Sequence, residues 1–150
     1  MRRAIALATE NVRAGRGGPF GTVIVKDGEI LAEAANTVTA SSDPTAHAEV
    51  SAIREACRKL GVFSLNGCTL YTSCEPCPMC LAAIYWARID RIYYSNTAAD
   101  AARIGFDDAF LYRELALPRE KRSIPTTQLL HAEARESFAV WESSTTKTPY

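Results

Sequence analysis

The stretch SCEPCPMC, Ser73 to Cys80, spaces cysteines at 74, 77 and 80. Any two neighbours in that series have metal-ligand spacing, and a chain that gathers ligands must bring the segments that carry them together as it folds. Cys77 and Cys80 lie three apart where Pro78 can open a helix over PMCLAAIYWAR, so both sulfurs fall on one helix face. The positive end of that helix favours ionised sulfur. Cys74 precedes Pro76 at a strand end, where its direction is unrelated to that face.

A second helix supplies the remaining donors. SSDPTAHAEVSAIREACRKLG has Asp43 as a cap, Pro44 in the first turn and Gly61 as the stop, predicting a helix over 44–60. Ala46, Val50, Ile53, Cys57 and Leu60 form its apolar stripe, with His47 and Glu49 on opposite shoulders. One histidine with a Cys-x2-Cys pair makes three protein ligands. Zinc so held keeps its fourth position for water, whereas a structural site closes with four ligands. Glu49 beside that water is placed to take its proton. His-x-Glu followed by Pro-Cys-x-x-Cys is the signature of the zinc deaminases. A redox pair and a closed Cys3His site that recruits Cys74 are the competing readings. Cys57 and Cys68 read as core residues.

The remaining elements set these helices around a sheet. Residues 2–14 read as a helix with Ile5, Ala8 and Val12 on one face. GRGGPFG is a flexible loop, and Asp27-Gly28 between two β-rich runs marks a hairpin. CTLYTS, RIYYSN and TTQLL read as strands, DAARIGFDDAFLYREL as one or two short helices, and 131–142 as a last helix. The alternation predicts one domain, 1–150, with a mixed sheet covered on both faces. The length suits one core, and 17 basic residues balance 17 acidic ones, which argues against a general polyanion binder. No apolar run is long enough to span a bilayer. Five cysteines in a chain that opens on an amphipathic helix predict reduced thiols and a cytoplasmic protein.

TAHAE and TSCEPCPMC resemble the cytidine deaminase-like superfamily, and the likeness covers nearly the whole chain. GGPFGTVIVKDG, NTVTASSDPTAHAEVSAIREAC, LYTSCEPCPMCLAAIYWARI and GFDDAF look most like the bacterial guanine deaminases within it. The resemblance implies a three-layer α/β/α sandwich around a five-stranded mixed sheet, a homodimer, and conversion of guanine to xanthine and ammonia. It implies one Zn2+ per subunit on His47, Cys77 and Cys80, with hydroxide on the zinc attacking C2, Glu49 shuttling protons and Asn36 hydrogen-bonding the purine. Ala48 is placed with the substrate contacts. The first helix starts almost at Met1, a departure from the relatives' pattern.

GFDD bears on substrate choice. Guanine presents N–H donors at N1 and its 2-amino group, which an acceptor-only carboxylate matches. Asp108 is the expected reader and Asp107 a helix cap; the plainer alternative makes both acids caps or surface residues. Phe20 and Trp86 are expected either to wall the pocket or to pack in the core. The polar tail ending in Tyr150 is expected to fold over an active site, its own or a partner's, the plainer alternative being a frayed terminus. The competing functions are a tRNA adenosine deaminase, a cytosine, nucleoside or triazine deaminase, and a zinc-binding scaffold without turnover. The only modest basic cluster, Arg113, Arg119, Lys121 and Arg122, is interleaved with Glu114 and Glu120, which disfavours RNA.

Overall fold

In the hairpin turn, Asp27 and Gly28 both adopt positive φ, 51° and 85°, the conformation a two-residue connection needs to match the strand twist. It joins β1 (Gly21–Lys26) to β2 (Glu29–Ala35) in antiparallel register, Lys26 opposite Glu29. The computed structural model describes residues 1–150, which form two compact units, Met1–Ala109 and Phe110–Tyr150.

In the first unit, β3 (Cys68–Cys74) pairs antiparallel with β1, and β4 (Arg91–Asn96) pairs parallel with β3. The order β2-β1-β3-β4 makes a mixed sheet of four strands, one fewer than expected. TTQLL, read as a strand, has none of the pairing that makes one. Its branched and apolar residues suit a pleated surface only where a neighbouring strand offers partners.

Side chains alternate along a strand, so the sheet is covered on both sides. Gly21 and Val23 face α1 (Arg2–Arg13), while Thr22 and Ile24 face α3 (Ala48–Leu60) and α4 (Pro78–Trp86). Ile24, Leu70, Leu65 and Ile84 form the core on the second side, joined by Cys68, with Cys57 packed against them.

Two helix faces differ from the sequence reading. On α1, Ile5 and Val12 are 43% and 51% exposed, and the buried face is Ala4, Ala8 and Asn11. On α3, the most buried positions are Ala48, Glu49, Ala52 and Ala56; of the expected stripe, Ala46 is buried, Ile53 and Cys57 pack partly buried against the core, and Leu60 is exposed. Close helix–sheet approach explains the face of α1. A Cβ built on Gly21 would overlap the Ala4 carbonyl oxygen and lie 2.7 Å from the Ala8 nitrogen, so only small residues fit where α1 meets β1. Gly21→Ala is therefore expected to lower stability by ~1–3 kcal/mol, through overpacking against backbone that cannot step aside. Chemical denaturation would measure it; an unchanged midpoint would mean that α1 is free to move.

The segment before α3 also departs from the reading. A short helix, α2 (Val38–Ser41), precedes it, and α3 begins at Ala48 rather than 44. Asp43 does not cap a helix directly. Its Oδ1 accepts from Thr45 N and Oγ1 at 2.8 and 2.7 Å, closing a local turn that delays the helix.

After β4, α5 (Ala98–Arg103) is opened by a capping box between Thr97 and Asp100. The Asp107 carboxylate accepts from Ala109 N at 2.8 Å, at the start of α6 (Ala109–Ala116). The second unit continues through a 3-10 turn, Arg119–Lys121, to α7 (His131–Ser143), and no residue of α6 or α7 is buried. No helix is long and apolar enough to cross a membrane.

Candidate active site

His47 and Cys77 occupy equivalent places. Each is the N-cap residue of its helix, α3 and α4, with extended backbone (ψ 154° and 167°), and neither side chain caps its own helix. Both side chains therefore stay available while the two helix starts converge. The His47 Nδ1 lies 3.6 Å from Cys77 Sγ and 3.5 Å from Cys80 Sγ, and all three donor atoms lie within 4.8 Å of one another. Zinc bonds of ~2.3 Å to sulfur and ~2.0 Å to nitrogen at tetrahedral angles set N and S about 3.5 Å apart, so the donor set fits this ion. Cys74 stays out of the cluster, with its Sγ 3.7 Å from the Thr97 carbonyl oxygen.

Charge in the cluster is arranged for a cation. A hydrogen bond from the Cys80 thiol, helped by His47, holds Cys77 down to about 4. Cys80 is pushed up by sharing that proton and by burial, because a second thiolate would form beside the first. The bond to Cys77 raises His47. A divalent ion in the protons' place would satisfy all three donors.

Glu49 is 5% exposed, and burial pushes its carboxyl above the usual range. Its Oε1 accepts from Thr72 Oγ1 at 3.0 Å, and Thr72 in turn accepts from Thr22 Oγ1 at 3.1 Å. The Cys80 Sγ lies 3.4 Å from Oε2, within hydrogen-bonding reach. One carboxylate oxygen is thus pinned by a chain of buried hydroxyls while the other faces the metal ligands.

These groups line one cavity of about 210 Å³, below the roughly 300–1,000 Å³ typical of drug-sized pockets. Phe20 and Phe106 contribute an edge-to-face pair, centroids 4.9 Å apart, to its wall. Asn36 enters from the end of β2, with Oδ1 accepting from Gly18 N and Val38 N at 3.4 and 3.3 Å. That leaves its Nδ2 without a protein partner. Asp108 lies on the same wall, its carboxyl raised by burial and then by Cys77.

The structure thus brings together His47, Glu49, Cys77, Asn36, Phe20 and Asp108 on one cavity, with Cys80 behind it. Ala48 is fully buried in the first turn of α3, not on the cavity wall. Trp86 is not brought to the cavity; at the end of α4 it is 64% exposed, beside Ala82, Tyr85 and Arg88. Tyr150 ends the second unit and is exposed. Sequence reasoning missed Thr72, Thr22, Glu75 and Phe106. Only Phe106, inside GFDD, carried a signal; the threonines look like ordinary strand residues. Glu75 holds α5 in place by accepting from Ala98 N at 2.9 Å, and Cys74, pushed up to about 11 by burial, adds a neutral thiol to the wall.

A paired helix-start metal cluster, a buried glutamate and a mixed sheet define a class. The sequence model of the cytidine and deoxycytidylate deaminase zinc-binding region matches residues 1–96, and the chain belongs to this zinc deaminase family. It is 55% identical to the guanine deaminase of Bacillus subtilis over 150 residues, covering 96% of that protein. The X-ray structure of guanine deaminase from Bacillus subtilis superposes with a TM-score of 0.97 at 56% identity, over 99% of this chain and 95% of that one. A tRNA-specific adenosine deaminase from Aquifex aeolicus is 51% identical, but over 77 residues, 51% of each chain. The family and the His47–Cys77–Cys80 cluster together support one Zn2+ in the protein.

Proposed function

We propose that this protein hydrolyses guanine to xanthine and ammonia. The observation that carries the reading is the single cavity that gathers the metal donors, Glu49, the Asn36 amide and the Asp108 carboxylate. The full-length likeness to a guanine deaminase supports the choice of base.

His47, Cys77 and Cys80 would hold the zinc, which supplies a water acidified enough to be deprotonated near neutral pH. Glu49 Oε2, which faces the metal ligands while Thr72 fixes Oε1, takes that proton and passes it to a ring nitrogen. Its raised affinity for protons suits it to take a second proton, from the hydroxyl newly added at C2, and release it to the departing amine, so that C2 is left with a carbonyl oxygen as ammonia leaves. The Asn36 Nδ2 donates to a ring acceptor. Asp108 accepts from the N–H edge of guanine, an edge that adenine does not offer. Phe20 and Phe106 together offer an aromatic wall to the flat ring and exclude water. The test is ultraviolet absorbance on zinc-loaded protein with guanine, adenine, cytosine, cytidine and a tRNA anticodon stem offered separately. Guanine loss with ammonia release is expected; turnover of the RNA alone would overturn the reading of Asp108.

The working form is a homodimer in which residues 1–150 act as one domain. Phe138, Val140, Trp141, Ile124, Leu129 and Leu130 are exposed on the second unit, which has too little buried surface to stand as a domain of its own. A second copy is the occupant that brings matching apolar surface, and sedimentation would measure the mass. The tail is read as closing an active site of such a dimer. Removing Thr146–Tyr150 is expected to lower kcat/KM about tenfold, a loss of ~1.4 kcal/mol, with zinc content intact. Unchanged kinetics would remove Tyr150 from the site. Five free cysteines suit the reducing cytoplasm.

A further inference from the structure

We infer that Asn11, a residue of α1 outside the cavity, is a positioning residue that fixes Asn36 and the 15–20 loop for substrate. Asn11 is fully buried, on the face where α1 otherwise presents alanines to the sheet. Its Nδ2 donates to two backbone carbonyls, Asn36 O at 2.7 Å and Gly18 O at 3.0 Å. An amide nitrogen carries two hydrogens, and both are used. The flipped amide would point an oxygen at two oxygens, so the partners decide the orientation. The Asn11 Oδ1 is buried with no hydrogen-bond partner, a cost that an apolar residue would avoid. An asparagine with half its side chain unsatisfied is therefore held there for what its nitrogen does.

That nitrogen sits where two walls of the cavity meet. Gly18 and Phe20 come from the loop, Asn36 from the end of β2. The Gly18 N–H returns a hydrogen bond to Asn36 Oδ1, and Asn36 N donates to the Phe20 carbonyl at 3.0 Å. A Cβ at Gly17 would overlap the Asn36 carbonyl oxygen, so loop and strand end lie in backbone contact. Asn11 clamps this contact from beneath. It sets the Asn36 backbone, and through it the direction in which the Asn36 Nδ2 enters the cavity.

The inference rests on the reading that Asn36 orients the base, and a double-mutant cycle separates the two. Asn11→Leu keeps the branched heavy-atom outline, adds some bulk and removes the donor. With folding and zinc content unchanged, it is expected to lower kcat/KM for guanine about 10–100-fold, mostly through KM. In an Asn36→Ala background, Asn11→Leu should add little, because it acts through a group already gone. Equal losses in both backgrounds would mean a general structural role and overturn the inference; so would no loss in the single variant while Asn36→Ala is impaired. If Asn36→Ala itself keeps full kcat/KM, the reading of Asn36 fails first, and the inference as a clamp for substrate fails with it. A readout independent of turnover is the side-chain amide signal of Asn36 in a 15N spectrum of zinc-loaded protein. It should shift in Asn11→Leu, and an unmoved signal would overturn the clamp whatever the base. Should the leucine variant not fold, Asn11→Ser, which can still donate one hydrogen bond, goes through the same cycle with the same deciding outcomes.

Discussion

Glu49→Gln is expected to bind zinc normally and to lose guanine turnover by about 10²–10⁴-fold, the range of general acid–base catalysis. The substitution keeps the shape of the side chain and its hydrogen bond from Thr72, since the glutamine carbonyl still accepts there. What disappears is the ability to take a proton at one moment and return it at another. The fall should appear in kcat, with KM little changed, because Glu49 is not among the groups that recognise the purine edge. A scaffold that merely stores zinc would be indifferent to this change, so the variant separates catalysis from metal storage. Retention of near-normal kcat would falsify the proton-shuttle role.

Cys77→Ala is expected to strip the zinc and turnover together. Removing one of three protein ligands should weaken metal binding by more than about 100-fold, since even partners outside the ligand shell are worth 10–100-fold. Metal content per chain, read by elemental analysis after dialysis, should fall toward zero, and the fold should persist because the core of the first unit lies on Ile24, Leu70, Leu65 and Ile84. Acid should have a similar effect on the native protein. The donors must be unprotonated to bind, so as pH falls His47 and Cys80, whose proton affinities are raised, compete with the ion before Cys77 does. Full metal content in Cys77→Ala would mean that the ion sits elsewhere.

The parts of the fold that declare themselves in the sequence are those governed by local backbone chemistry. Asp27-Gly28 makes the expected hairpin, and Gly61 ends α3 in a left-handed conformation. The metal cluster is legible for the same reason: Cys77 and Cys80 sit within one turn, and His47 lies two residues before Glu49. Packing faces were less legible. Ile5 and Val12 look like the inward side of α1 because they are large and apolar, yet where a helix lies nearly on a strand at Gly21 only alanine and asparagine fit. Bulk, not polarity, decided which side faced in. The missing strand at 126–130 shows a related limit, since strand formation depends on a partner that local sequence does not contain. Within the site, Thr72 and Asn11 went unread because each acts through hydrogen bonds to segments distant in the chain.

The placing of His47 and Cys77 at N-cap positions has a consequence for how the protein tolerates change. A side chain at a helix boundary turns by about 100° if the helix starts one residue earlier or later. Edits that look remote and conservative, in the turn held by Asp43 and Thr45 or around Pro76, are therefore able to swing a ligand away without touching it. The boundaries of two helices act here as the alignment stops of the catalytic centre. Engineering that shortens or stiffens those loops will be felt first as lost metal and only later as lost fold.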